Sequence, residues 1–222
     1  MVRPCNVEET IGSGDPTGVA ESLALMKARS VAAGCGDGIV IGADTVVELD
    51  GEILGKPKDR DDARRMLGRL SGREHRVITG VAVIDARSGR LELEHETTGV
   101  WFRSLDPGEI EAYVDSGEPM DKAGAYGIQG LGQGLVERID GCYFNVVGLP
   151  LPRLTRMLER FGIEVSLRSS SDCSGFSGRK GAGRGRNGGV CGYRQSDYEG
   201  PSRERAAEGE TRGVRSVLAF QR

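Results

Sequence analysis

The 222-residue chain is long enough for one sizeable core, and its 30 Lys and Arg against 33 Asp and Glu give a formal net charge of −3. That balance argues against broad non-specific binding to nucleic acid, although it leaves room for a local cationic pocket that holds phosphates. Five cysteines without a CxxC pair argue against a disulfide framework or a zinc site, and no apolar run reaches membrane-spanning length. We therefore expect a cytoplasmic protein without membrane contact.

The composition changes near residue 168. Residues 1–168 have the mixed apolar and charged pattern of a folded domain, whereas residues 169–222 are dominated by Gly, Arg and Ser. The second segment holds 10 Lys and Arg against 6 Asp and Glu, and it has too little apolar content to build a core, so we predict a disordered tail. Within it, Lys180–Gly189 faintly resembles an RNA-binding segment rich in Arg and Gly. Weak RNA binding is therefore a hypothesis beside the simpler one of an extension without a function.

Helical and extended patterns alternate along residues 1–168, and two hairpins interrupt them, so the sequence predicts an α/β fold with a mixed sheet. The predicted helices are Thr17–Ala33 (capped by Thr17), one that begins at Asp59, one that begins at Asp106, and Leu149–Phe161. The predicted strands are Ile39–Val47, Arg73–Asp85, Leu91–Phe102, Leu135–Ile139, Cys142–Val147 and Ile163–Leu167.

The stretch from Ile39 to Asp59 carries the strongest chemical signal. A buried strand delivers Asp44 at its exit, and the tight turn at Asp50-Gly51 returns the chain so that Lys56 comes back beside it. Water activation beside a polyphosphate needs such a pair: a carboxylate that binds metal or takes a proton, and a lysine that offsets phosphate charge. On spacing alone, an ordinary strand end with a solvated lysine is at least as good an interpretation.

Three other segments contribute candidate ligands. Lys27, late in the first helix, is either a surface lysine at the negative end of the helix dipole or a phosphate ligand. The glycine-dense segment Glu118–Gly134 sets Asp121 and Gln129 among small residues, where it either lets a ligand approach the backbone or forms a plain loop. Glu9 adds a carboxylate near the start of the chain. The two histidines are too isolated in the sequence to favour a histidine-centred mechanism.

Four segments together resemble the Maf family of nucleoside triphosphate pyrophosphatases: GADTVVELDGEILGKPKD, LSGREHRVITGVAV, GEPMDKAGAYGIQGLG and NVVGLPLPRL. The resemblance covers about residues 5–163. It implies an inosine-triphosphatase-like (Maf/Ham1-type) α/β fold, in which helices flank a twisted mixed sheet and a cleft lies between two lobes. It also implies cleavage between the α- and β-phosphates to give a monophosphate and pyrophosphate, a divalent cation (Mg²⁺ or Mn²⁺) as cofactor, and often a homodimer.

The same resemblance implies roles for individual positions. Asp44 matches the family's proton acceptor. Thr45 and Gln129 match positions that set base preference, and their identities are similar to the branch that acts on dTTP and UTP. The charged lining of the family's cleft is matched by Lys27 and Lys56 as phosphate-binding residues, and by Asp44, Glu9 and Asp121 as metal ligands.

One part of the family pattern is absent from this sequence. Family members open with a strand and a Ser-x-Ser-Pro-Arg-Arg loop that cradles the triphosphate, and this sequence begins after that point. Charge-assisted phosphate contacts are strong, so we expect a chain without them to bind its substrate weakly. The sequence therefore leaves two functions open. One is a pyrophosphatase acting on dTTP, UTP and related non-standard nucleotides, and the other is a catalytically impaired nucleotide-binding or regulatory protein.

Overall fold

The computed structural model describes residues 14–165 together with Ser216–Ala219. The helices in these ranges are α1 (Pro16–Ala32), α2 (Arg60–Leu70), α3 (Pro107–Asp115), α4 (Tyr143–Val147) and α5 (Leu151–Arg160). The strands are β1 (Ile39–Leu49), β2 (Glu52–Leu54), β3 (Glu74–Asp85), β4 (Leu91–Phe102), β5 (Val136–Asp140) and β6 (Ser216–Ala219). Short 3₁₀ segments cover Glu118–Asp121, Ala123–Ala125 and Gly130–Leu135.

The strands form one sheet in the order β2-β1-β3-β4-β5, and β6 also pairs with β1. Neighbours along this path are antiparallel, whereas β6 runs parallel to β1 along Ile39–Gly42. Helix α1 packs on one face of β1 and β3, and α5 packs on the other face of the same strands. The predicted α/β fold, with a mixed sheet flanked by helices, is confirmed.

Helix α1 lies very close to the sheet because small residues meet at the contact. A Cβ at Gly42 would stand 2.4 Å from the carbonyl oxygen of Ala24, and a Cβ at Gly80 would stand 2.3 Å from that of Ala20. Both distances are far below a van der Waals contact, so a side chain at either glycine would push the helix backbone away. Ala28 continues the buried small-residue stripe of the helix. This close approach sets the depth at which α1 can present a polar side chain to β1.

The opposite face of the sheet carries larger side chains. Leu154 and Met157 of α5 pack on Ile39 of β1 and its neighbours. Arg153 and Arg160 of the same helix form ion pairs with glutamates of β4. Helix α5 is therefore held by an apolar contact at its centre and by charged groups along its side.

The predicted starts of α2 and α3 are confirmed. The Asp59 carboxylate accepts a hydrogen bond from the backbone N–H of Asp62 at 2.8 Å, and Asp106 forms a reciprocal capping box with Glu109. The predicted cap of α1 is wrong, since the carboxylate of Asp15 caps that helix in place of Thr17. Aspartate at this position accepts hydrogen bonds from the first turn as well as threonine does, so the helix begins earlier than predicted.

The predicted strand Cys142–Val147 is wrong, because the segment forms the short helix α4. The side-chain amide of Asn145 donates to the carbonyl oxygen of Val77 and to the hydroxyl of Thr98, both at 2.9 Å. These bonds tie the segment across β3 and β4. A short apolar run has no diagnostic period, so tertiary hydrogen bonds decide its conformation.

Beyond Val165 the structure describes only β6. Residues 163–165 form no strand, so the predicted strand Ile163–Leu167 is not found over the part that is described. Strand β6 lies in the segment predicted as a tail, and its pairing with β1 was not predicted, because four residues after a glycine-rich stretch give no periodic signal. The hypothesis about Lys180–Gly189 falls outside the described residues. Within residues 14–165 and 216–219, no helix combines the length and apolar character needed to cross a membrane.

Candidate active site

Among the described residues, the outer edge of β1 has no strand partner between two of its neighbours. Strand β3 pairs with one edge of β1 from Ile39 to Glu48, so β2 and β6 share the other edge. On this outer edge, β6 covers Ile39–Gly42 and β2 covers Val47–Leu49. Within the described residues, no strand pairs with the outer edge of residues 43–46. Unpaired backbone at a strand edge is a ready hydrogen-bonding surface.

A cavity of about 690 Å³ opens at this gap. Small-molecule sites have volumes of about 300–1,000 Å³, so the cavity has room for a nucleotide. Its walls are residues 43–47 of β1, the turn after β2, residues 126–130 and residues 146–149. Of the seven predicted site residues, six line it: Lys27, Asp44, Thr45, Lys56, Asp121 and Gln129. Glu9 falls outside the described residues.

Asp44 and Lys27 form a buried ion pair in the cavity wall. Asp44 lies on the face of β1 that α1 covers, and its Oδ1 contacts Nζ of Lys27. The Lys27 side chain is 4% exposed and that of Asp44 is 11% exposed. An isolated charge at this depth would be costly, and the contact between the two side chains offsets part of that cost. Lys27 is therefore not a surface lysine, and the lysine in contact with Asp44 is Lys27 rather than Lys56.

Thr45 follows Asp44 and therefore lies on the other face of the sheet. Its Oγ1 lies 2.8 Å from Oγ1 of Thr79, its cross-strand neighbour on β3. The hydroxyl of Thr79 lies 3.1 Å from the carbonyl oxygen of Asn145 in α4. The two consecutive site residues of β1 are thus held by different layers of the protein, Asp44 by α1 and Thr45 by β3 and α4.

The turn after β2 brings Lys56 to the cavity. The carbonyl oxygen of Gly55 accepts a hydrogen bond from the backbone N–H of Gly124 at 3.0 Å, which ties this turn to the glycine-rich segment. In that segment Lys122 pairs with Asp121. The hydrogen bond from Lys122 lowers the pKa of Asp121, and the charge of Lys56 adds to the effect. Asp121 is accordingly a carboxylate at neutral pH, with two ammonium groups near it.

Glu118 holds the loop that carries Gln129. Its carboxylate accepts hydrogen bonds from the backbone N–H groups of Leu131 and Gly132, both at 2.9 Å, and from the hydroxyl of Tyr113 at 3.0 Å. Burial raises the pKa of Glu118, but these hydrogen bonds outweigh burial and leave the pKa below its usual value. The backbone next to Gln129 is thereby fixed to one ionised side chain.

Tyr126 forms part of the cavity wall and rests on a buried histidine. Its hydroxyl lies 2.7 Å from Nε2 of His75, and the two rings meet edge to face with that of Phe102. Burial lowers the pKa of His75 to about 4, although the charge of Glu48 opposes the shift. The imidazole is therefore neutral at pH 7, which agrees with the structural role that the sequence favours for a lone histidine.

The carboxylates of the cavity suit a hard divalent cation that is shared with a phosphate ligand. Mg²⁺ prefers oxygen ligands and is commonly held by one or two carboxylates together with substrate phosphates. Asp44 and Asp121 both line the cavity. Within the part of the chain that the structure describes, no group of three or more His, Cys, Asp and Glu side chains forms a metal site. This donor set fits a cation that binds together with a triphosphate.

Three residues that shape the site were not identified from the sequence. Thr79 and Asn145 lie 34 and 66 positions from the residues they contact, so no local pattern could connect them. Glu118 had a usable signal, because it stands directly before a glycine-dense segment in which backbone N–H groups can approach a carboxylate.

Residues 1–161 match the Maf-like protein family. The chain is 53% identical over 163 residues to a dTTP/UTP pyrophosphatase of Syntrophomonas wolfei, and the match spans 73% of this chain and 86% of that protein. It is 51% and 52% identical over 165 residues to proteins of the same name from Pelotomaculum thermopropionicum and Moorella thermoacetica. Those matches span 74% of this chain and 86% and 85% of the two relatives. The family match includes every segment that lines the cavity.

Proposed function

The chain belongs to the Maf family, and from this premise we propose that it is a nucleoside triphosphate pyrophosphatase acting on dTTP, UTP and related non-standard nucleotides. The reaction releases a nucleoside monophosphate and pyrophosphate. The observation that carries the proposal is that the buried pair of Asp44 and Lys27 and the residue Gln129 line one cavity. A charged pair suited to phosphate chemistry and an amide suited to a base edge are then within reach of one nucleotide.

In the proposed reaction Asp44 accepts a proton from a water molecule as the water oxygen attacks the α-phosphorus. A new bond forms between that oxygen and the α-phosphorus, the bond from the α-phosphorus to the bridging oxygen breaks, and pyrophosphate leaves with the bridging oxygen. Lys27 holds the carboxylate of Asp44 in place. The ammonium groups of Lys27 and Lys56 offset the negative charge on the phosphates as the transition state forms.

We propose Mg²⁺ or Mn²⁺ as the cofactor, with Asp44 and Asp121 as ligands beside the phosphate oxygens, and with Glu9 as a third ligand that the family resemblance suggests. When bound, the cation neutralises phosphate charge and polarises the phosphoryl group. Calorimetric titration of the protein with Mn²⁺, with and without a nucleotide, tests the ligand set independently of turnover. We expect Asp121→Asn to weaken Mn²⁺ binding, and unchanged binding in this variant would remove Asp121 from the ligand set.

Activity is tested by measuring pyrophosphate release from a panel of nucleoside triphosphates in the presence of Mg²⁺. We expect release from dTTP and UTP, and Asp44→Asn should lower kcat by about 10²- to 10⁴-fold, the usual contribution of a positioned base. Glu137→Gln is the matched control, because Glu137 is an exposed carboxylate of β5 outside the cavity. Nucleotide binding without pyrophosphate release would contradict the proposal and favour a non-catalytic nucleotide-binding protein.

We also propose that the protein acts in the cytoplasm as a homodimer. The substrate class supports the location, which cell fractionation would test. Exposed apolar side chains at α4 and the start of α5 support self-association, since a second copy could cover them: Tyr143, Phe144 and Leu151. Light scattering coupled to size exclusion should give a dimer for the wild type and a monomer for Phe144→Glu, and a monomeric wild type would refute the assembly.

A further inference from the structure

A chain of three hydrogen-bonding groups runs from the core to the cavity. The carbonyl oxygen of Asn145 lies 3.1 Å from the hydroxyl of Thr79, and that hydroxyl lies 2.8 Å from the hydroxyl of Thr45. Thr79 is fully buried and does not line the cavity, whereas Thr45 does. Gly148, another lining residue, stands beside Oγ1 of Thr45, because a Cβ on Gly148 would lie 3.7 Å from that oxygen.

The carbonyl oxygen of Asn145, at the buried end of this series, determines the direction of both hydrogen bonds. A carbonyl oxygen only accepts hydrogen bonds, so the single O–H of Thr79 must point at Asn145. The hydroxyl of Thr79 is then available to Thr45 only as an acceptor. Thr45 must therefore donate its own O–H to Thr79. Any other arrangement would leave two oxygen lone pairs facing each other inside the protein, which buried polar groups avoid.

We propose that Thr79 is a positioning residue for base selection: it fixes the hydroxyl of Thr45 as a hydrogen-bond acceptor towards the cavity. The inference rests on the proposed function and specifies the chemistry of its substrate. With its hydrogen committed to Thr79, Oγ1 of Thr45 presents only lone pairs to a ligand. It can then pair with a ring N–H of the base but not with a ring nitrogen that lacks hydrogen. Uracil and thymine carry such an N–H at N3, and cytosine does not.

A fixed acceptor is needed because Gln129 alone cannot make this distinction. Its amide presents an NH₂ donor group beside a carbonyl acceptor, which match the adjacent carbonyl oxygen and N–H of uracil. Rotating the amide by half a turn reverses the two groups, and the amide then matches the amino group and ring nitrogen of cytosine. Thr45 lacks that freedom as long as Thr79 holds its hydrogen. Discrimination between uracil and cytosine therefore depends on a residue that the base does not touch.

The test compares kcat and KM for UTP and CTP in four proteins. Thr79→Val keeps the shape of the side chain but removes the acceptor, so the hydroxyl of Thr45 can turn and donate to the base. Thr79→Ser keeps a hydroxyl at the same place. Thr98→Val is the matched control, because Thr98 is equally buried and bonds to Asn145 but not to Thr45. It loosens α4 from the sheet without changing the direction of the Thr45 hydroxyl.

We expect Thr79→Val to lower the ratio of kcat/KM for UTP to that for CTP by about tenfold, the effect of one lost hydrogen-bond match in a site built for it. The change should appear mainly as a higher KM for UTP. Thr79→Ser should keep the wild-type ratio, and Thr98→Val should lower the melting temperature while keeping the ratio. An unchanged ratio in Thr79→Val, or an equal fall in Thr98→Val, would overturn the inference. If Thr79→Val does not fold, Thr79→Cys replaces it with the same expectation, since a thiol is a weak acceptor.

A failure of the proposed function can be told apart from a failure of this inference. If the wild type hydrolyses no nucleotide, the pyrophosphatase proposal fails, and calorimetric affinities for UMP and CMP in the same four proteins take the place of the kinetic ratio. A preference for UMP that Thr79→Val abolishes and Thr98→Val retains would support the inference in that case too. Equal affinity of the wild type for UMP and CMP would refute it.

Discussion

Replacing one member of the Asp44–Lys27 pair should destabilise the protein, and replacing both should cost less than the two single changes together. Lys27→Met keeps the apolar length of the side chain but removes the ammonium group from the carboxylate of Asp44, which is 11% exposed. Removing one partner of a buried ion pair costs about 3–5 kcal/mol of unfolding free energy, because the remaining charge loses the attraction that offset its desolvation. Asp44→Asn should cost about as much by the same argument.

In the double variant neither charge remains, so the desolvation penalty disappears together with the attraction. We expect the double variant to lose about 3 kcal/mol less than the sum of the single losses. Catalysis should be lost in all three variants, because the proposed proton acceptor or its positioning group is gone from each. Stability and activity therefore change differently across these variants. The double-mutant cycle measures the interaction free energy of the ion pair independently of the reaction.

The assay is urea unfolding at pH 7, followed by the fluorescence of Trp101, the single tryptophan of the chain. The matched control is Arg60→Met, since the pair of Arg60 and Asp115 has side chains that are 57% and 55% exposed. Exposed pairs contribute about 0–1 kcal/mol, so this variant should unfold close to the wild type. A loss of unfolding free energy below about 1 kcal/mol in either single variant would refute this expectation, and so would a strictly additive loss in the double variant.

Three further predictions concern the supports of the site. Glu118→Gln should raise the KM for UTP and speed amide hydrogen exchange at Leu131, because it replaces a carboxylate oxygen with an NH₂ group opposite a backbone N–H. Unchanged exchange at Leu131 would show that Glu118 does not hold this loop. Gly80→Ala should lower unfolding free energy by about 2 kcal/mol or more in urea, because its Cβ would overlap the backbone of α1, and a neutral result would show that the helix can move away freely. The pKa of His75 falls from an ordinary value near 6.5 to about 4, so the unfolded chain binds more protons between these pH values. Unfolding free energy should therefore fall as pH drops from 6.5 to 4, by about 3 kcal/mol more than in His75→Phe, and equal pH slopes in the two proteins would refute this.

The sequence predicts those features whose physical cause is local. Asp59 and Asp106 cap their helices through bonds that span at most three residues, so both helix starts can be predicted from the sequence. The segment Cys142–Val147 could not be predicted correctly, because its helix depends on bonds from Asn145 to two strands more than 40 positions away. Local signals therefore suffice at the helix starts and fail at α4, where the deciding contacts are tertiary.

The features of the candidate site also divide into those with a local cause and those that depend on tertiary contacts. The strand and hairpin that bring Asp44 and Lys56 to one cavity follow from the pattern of β1 and β2, and the family resemblance supplied the expected roles. The predicted position of Asp44 at the strand exit is wrong, because β1 continues to Leu49 and Asp44 lies in its middle. The pairing of Asp44 with Lys27 could not be predicted from spacing, because it depends on how closely α1 approaches the sheet. That approach is possible only where Gly42 and Gly80 lack side chains, and neither glycine has a recognisable meaning until the helix is placed on it.

The residues proposed for hydrolysis and for base choice have separate structural supports in this protein. Asp44 and Thr45 are consecutive in β1 and therefore face opposite sides of the sheet, where α1 holds the first and α4, through Thr79, constrains the second. A substitution under α1 can then disturb the reacting carboxylate while the acceptor for the base stays in place. A substitution under α4 can change the preferred base while the ion pair survives. The two properties are therefore expected to vary largely independently, because the side chains that support Asp44 and Thr45 lie on opposite faces of the paired strands β1 and β3.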